Sequence, residues 1–125
     1  MPRASRKIVL LALSLLLLAG CAATDAGLCA APSVSLEATV TDDGMDPSAL
    51  AVCRGQEVTL ELNSQTDGVF HLHGYDDQVP ATGLTPGETT VLEFTADAAG
   101  QFIMQLHARS GDTEAEIGAL TVNEP

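Results

Sequence analysis

Three histidines are the side chains of this sequence best suited to chemistry: His71, His73 and His107. Two of them stand two positions apart in the run Val69-Phe70-His71-Leu72-His73-Gly74-Tyr75-Asp76. In a strand successive side chains point to opposite faces, so His71, His73 and Tyr75 share one face and Phe70 and Leu72 share the other. Two imidazoles so placed can reach one metal ion. His107 closes a second apolar run, Gln101-Phe102-Ile103-Met104-Gln105-Leu106-His107. Whether the fold carries His107 to the His71/His73 pair is the central question about function. Structural roles stand beside the chemical one. His71 can bond a backbone carbonyl at the mouth of a sandwich, and Tyr75 can fill a core with its hydroxyl bonded at the edge.

Other catalytic patterns are missing from the sequence. It has no Ser/His/Asp arrangement in a glycine-rich elbow, no paired carboxylates at a recognisable spacing and no phosphate loop, so an enzyme is not expected. A three-histidine metal with a coordination position open to water is the one catalytic alternative left.

The elements that must position the histidines are short strands. Val34, Leu36, Ala38 and Val40 alternate with Ser35, Glu37 and Thr39, the pattern of a half-buried strand. Asp42-Asp43-Gly44 turns the chain, and Pro47 excludes a central strand from the irregular stretch 45–49. Leu50-Ala51-Val52-Cys53 is a short apolar strand, and Glu57-Val58-Thr59-Leu60-Glu61-Leu62 alternates again. After the His71 strand, residues 77–87 form a long turn region ending on Pro86-Gly87. Thr89-Thr90-Val91-Leu92-Glu93-Phe94-Thr95, the His107 strand and a closing strand over residues 117–123 complete the chain. About seven short strands at regular spacing, with no capped helical pattern, predict an all-β, antiparallel Greek-key sandwich.

Residues 1–20 stand apart from this domain. Arg3, Arg6 and Lys7 precede an apolar run over residues 8–18 that is too short to read as a spanning helix. Leu18-Ala19-Gly20-Cys21 is similar to the lipobox of bacterial lipoproteins. That resemblance implies that Cys21 is acylated and becomes the mature N-terminus; the alternative is an ordinary secretory leader. The expected organisation is a signal peptide over 1–20, a flexible tether over 21–32 and one domain over 33–125. The protein is expected to be exported and lipid-anchored at the cell membrane or envelope.

The 125-residue chain carries a formal charge of −12, but three of its five cations lie in the leader. Arg54 and Arg109 then face seventeen acids, a formal charge of −15. Such a surface repels phosphate backbones and anionic lipid, so nucleic acid is not an expected partner and acyl chains must supply the membrane attachment. The acids are spread along the chain, as a solvated surface requires, although attraction of cations or of a basic partner is the other reading. With Cys21 assigned to lipid, Cys29 and Cys53 remain. Export places them where disulfides persist, and a Cys29–Cys53 bridge is expected; free thiols or a thiolate ligand are the alternatives.

The order of motifs resembles a cupredoxin, the small β-sandwich of the blue copper proteins. Val52-Cys53-Arg54-Gly55-Gln56-Glu57-Val58 is similar to the family's early strand-glycine-strand corner, and His71-Leu72-His73-Gly74-Tyr75-Asp76 to the segment bearing its first copper histidine. Leu84-Thr85-Pro86-Gly87-Glu88-Thr89 resembles its proline-glycine corner, Ala99-Gly100-Gln101-Phe102 the opening of its last copper-bearing strand, and Ile117-Gly118-Ala119-Leu120 its final strand. Leu106 stands where the family has its cysteine, and Ile117 where it has its axial methionine. A blue centre needs a thiolate with two imidazoles, so the resemblance does not extend to one. What it implies instead is a thiolate-free site of His71, His73 and His107, with Met104 a weak fourth candidate that also fits core packing. His73 stands where the family has an inward apolar residue, so it can also be a core histidine. Imidazoles suit copper, zinc or nickel as divalent ions, and the site weakens below about pH 6 because ligating nitrogens must be unprotonated. Asp76 or Asp77 can orient a ligand through its second nitrogen. The expected function is metal binding, copper or zinc, at the cell envelope; the alternative is a metal-free sandwich that interacts with an envelope protein partner.

Overall fold

The computed structural model describes residues 25–109 and 112–125; the expected leader and Cys21 lie outside them. One helical turn, α1 (Asp25–Leu28), precedes nine strands: β1 (Ser33–Thr41), β2 (Gly44–Asp46), β3 (Ala49–Cys53), β4 (Glu57–Ser64), β5 (Gly68–Leu72), β6 (Thr82–Leu84), β7 (Thr89–Thr95), β8 (Gly100–His107) and β9 (Glu114–Asn123). They form two sheets, ordered β2-β1-β4-β7 and β3-β9-β8-β5-β6. The chain leaves the first sheet for the second through the Asp46–Pro47 peptide, which is cis.

Alternation builds the core. Val58, Leu60 and Leu62 of β4 are buried, while Glu57 before them and Glu61 among them are exposed. Phe70 and Leu72 of β5, Met104 of β8 and Leu120 and Val122 of β9 meet them from the other sheet. Burying side chains of this size stabilises a fold by roughly 1.5–3 kcal/mol each. The buried polar side chains Gln56, Ser64 and Thr66 all have hydrogen-bond partners. Gln56 fastens the N-terminal segment: its Oε1 accepts from Cys53 N–H at 2.7 Å, and its Nε2 donates to the carbonyls of Leu28 and Ala31 at 2.9 Å each. The Cys29–Cys53 disulfide pins the same segment. The sequence boundary at Ser33 therefore falls just after a stretch that is held against the sandwich.

Two details differ from the expected antiparallel, seven-strand pattern. The ladders β1–β4 and β3–β9 are parallel, so both sheets are mixed. Strands β2 and β6 are three residues each and lie in the stretches read as irregular and as turn. Strands so short, flanked by proline and glycine, carry no readable alternation.

Candidate metal site

Strand β5 places His71. Its neighbours Phe70 and Leu72 are fully buried, so His71 is turned to the outer face of the five-stranded sheet, where it is half-buried. Strand β8 lies antiparallel beside it, with His71 opposite Gln105 and Val69 opposite His107. Cross-strand partners share a face. His107 therefore stands on the same outer face as His71, one diagonal step away. The two imidazole centroids are 4.5 Å apart with their planes at 60°. His73 follows β5 and its backbone N–H continues the ladder by donating to the Ile103 carbonyl at 3.0 Å. Its ring is exposed and lies 5.8 Å from that of His71, nearly parallel to it at 10°.

All three predicted histidines thus gather on one surface, and His73 is not a core histidine. Around them stand groups the sequence did not single out. Gln105 Oε1 is hydrogen-bonded to His73 Nε2. Glu114 Oε1 lies 3.3 Å from His107 Nε2. A shallow groove lined by His73, Phe102, Ile103, Gln105 and Glu114 runs beside the cluster. The His71 ring is harder to protonate than an ordinary imidazole: burial is the main cause, repulsion from His107 and His73 adds to it, and attraction by Asp76 and Glu114 opposes it.

Other expected participants lie elsewhere. Met104 is wholly buried on the inner face of β8, so it packs in the core on the side away from the histidines. Tyr75 leaves the face predicted by strict alternation. Gly74 breaks the strand with φ of +89°, and Tyr75 turns inward, with its hydroxyl donating to the Ala98 carbonyl at 3.0 Å. Asp76 accepts from the Gly74 N–H at 3.2 Å and closes this turn rather than bonding a histidine ring. Leu106 is half-buried and packs against the core.

The donor set decides which metal chemistry fits. Cys29 and Cys53 are bonded to each other, so neither offers a thiolate, and a blue copper centre does not fit the described residues. Imidazole and carboxylate donors facing solvent do fit a divalent ion. Among the described residues, no group of three or more His, Cys, Asp or Glu side chains is already arranged as a metal cage. The closest pair of rings is His71 with His107; a divalent ion held there would need a further donor brought in by side-chain rotation. Exposed side chains make such moves in picoseconds to nanoseconds.

No family model matches the sequence, and no curated protein matches it. In structure the chain is similar to the blue copper oxidase of Nitrosomonas europaea, at a TM-score of 0.61 and 17% identity, over 74% of this chain and 39% of the oxidase chain. It is also similar to auracyanin A, a blue copper protein of Chloroflexus aurantiacus, at 0.55 and 18%, over 73% of this chain and 99% of the other. A copper binding protein in the apo form, known from solution NMR, matches at 0.58 and 15%, over 74% and 90%. The chain spans about two fifths of the oxidase's length. At these identities the likeness carries the fold, and function has to be argued from the site. The described chain has the cupredoxin-like β-sandwich fold.

Proposed function

We propose that this protein is an exported, lipid-anchored cupredoxin-like domain that binds divalent copper or zinc at a solvent-facing histidine cluster without a thiolate. The observation that carries this reading is the 4.5 Å approach of the His71 and His107 rings on one outer sheet face. Two imidazoles bound to one ion at bond lengths of about 2.0–2.1 Å bring their centroids to about 4.5–5.5 Å. His73 adjoins the pair, and seventeen acids raise the local concentration of cations. The leader and the Leu18-Ala19-Gly20-Cys21 motif support export and acylation at Cys21.

Calorimetric titration of the domain begun after Cys21 tests the reading. Cu(II) and Zn(II) are expected to bind with one-to-one stoichiometry at pH 7, weakly at pH 5.5, and not in the His71→Ala/His107→Ala variant. Equal heats for the wild-type and variant proteins would remove the site. A second reading, a metal-free interaction domain, is favoured by Ile103, 39% exposed on the same face.

A further inference from the structure

The two strands that carry His107 and Glu114 do not pair in a single register. Strands β8 and β9 match Met104 with Gly118, then slip by one residue and match Gln105 with Glu116. Without that slip His107 would face Ala115. With it, His107 faces Glu114, and Ile117 is left to turn into the core, where it is buried. Bulges of this kind re-aim a side chain and are concentrated beside functional sites. The side chain re-aimed here is a carboxylate, and it is brought to the imidazole nearest His71.

One donor–donor distance fits a shared ion. Donor atoms on a tetrahedral ion with bonds of about 2.0–2.1 Å lie about 3.3–3.4 Å apart. Glu114 Oε1 and His107 Nε2 are 3.3 Å apart, which is the edge of such a tetrahedron and long for a charge-assisted hydrogen bond. His73 fits less well. Its ring is stacked nearly parallel to that of His71 with centroids 5.8 Å apart, beyond the separation of two imidazoles on one ion, whereas His71 and His107 are 4.5 Å apart. Its Nε2 is also taken by Gln105.

We propose that Glu114, and not His73, is the third protein ligand of the metal site, giving a His71/His107/Glu114 set for a divalent cation. This rests on the reading of the cluster as a metal site. Two imidazoles and one carboxylate favour divalent ions such as Zn(II), Co(II) and Cu(II), and exclude the soft Cu(I) ion as the preferred cargo. A fourth position, directed to solvent from the outer face, is left for water. Among the described residues no three donors already form a cage, so the set requires Glu114, 43% exposed, to close on the ion by side-chain rotation.

Zn(II) calorimetry and Co(II) absorption spectroscopy on the wild-type protein, Glu114→Gln, Glu114→Ala, His73→Ala and His71→Ala test the proposal, with urea midpoints confirming that each variant folds. Loss of an outer-shell partner costs about 10–100-fold in affinity. Loss of a ligand is expected to cost more, so Glu114→Gln raises the Kd for Zn(II) by more than about 100-fold and changes the Co(II) visible spectrum. His73→Ala leaves the Co(II) spectrum as in wild type and raises the Kd by no more than the roughly 10–100-fold of an outer-shell partner. If wild type binds and Glu114→Gln keeps its Co(II) spectrum, Glu114 is not a ligand although the histidine site stands. If His73→Ala, rather than Glu114→Gln, abolishes binding, the three-histidine set is correct. If wild type itself does not bind, the metal reading and this proposal fall together.

Discussion

Gly74→Ala is expected to be costly, for a reason visible at the end of the His71 strand. Gly74 has φ of +89°, and a Cβ added there would lie 2.5 Å from Phe102 Cδ1 and 2.8 Å from Cε1. Two costs arise. Left-handed backbone strains an L residue by roughly 1–2 kcal/mol. Displacing a packed ring adds the roughly 1–3 kcal/mol typical of overpacking, since Phe102 stands edge-on to Tyr75 at 4.8 Å and cannot shift alone. The sum is about 2–5 kcal/mol, a large part of the stability of a domain this size. Gly87 supplies the control, with φ of +83° and open space around its Cβ, so Gly87→Ala carries the backbone cost alone. Urea unfolding of both variants, at unchanged m-value, measures the difference. Adding Phe102→Leu to Gly74→Ala is expected to recover part of the loss. If Gly74→Ala costs no more than Gly87→Ala, or Phe102→Leu recovers nothing, the packing account of this turn is wrong.

Three further outcomes are expected. Removing the Cys29–Cys53 bridge by a double Cys→Ala change frees a loop of sequence separation 24 and lowers stability by about 3–3.5 kcal/mol on the chain-entropy scale, read as a lower urea midpoint that reductant no longer affects. Stability falls at both ends of the pH range. His71 is held below its ordinary value of 6.5, so the unfolded state binds more protons just below pH 6.5 and stability, full above that value, is lost as pH drops through the folded pKa. Tyr75 is held above 10.0 by burial, so stability is full below pH 10 and declines above it; His71→Ala flattens the acid limb of the profile and Tyr75→Phe the alkaline limb. In cells, Cys21→Ser is expected to abolish incorporation of labelled palmitate and to release the protein from the membrane fraction; unchanged labelling contradicts acylation at Cys21.

Much of this architecture is readable in the residues, because period-two alternation is strong wherever a strand is long and has one buried face. β4 and β7 are plain on that ground, as is the outward placement of His71 between Phe70 and Leu72. Alternation also fails in identifiable places. It runs Tyr75 on with His71 and His73, whereas Gly74 breaks the strand and turns Tyr75 into the core against Phe94 and Phe102. It is silent for β2 and β6, whose three residues span little more than one period. Glu114 is one of seventeen acids in the sequence and carries no further signal. Its place opposite His107 depends on a one-residue slip between β8 and β9, and register is a property of two strands that neither sequence displays alone. Gln56 gave no signal as a clamp because its three partners are backbone groups, two of them in a segment read as a tether.

A divalent ion is proposed to bind between His71 and His107 on the outer face of the five-stranded sheet. Long-range proton–nitrogen NMR of the imidazoles during a Zn(II) titration at pH 7 tests it ring by ring. One nitrogen each of His71 and His107 is expected to shift to a ligated position, saturating together at one equivalent, while the His73 ring moves little. Zinc that leaves the His71 and His107 nitrogens unshifted, whether it binds elsewhere or not at all, would contradict the account.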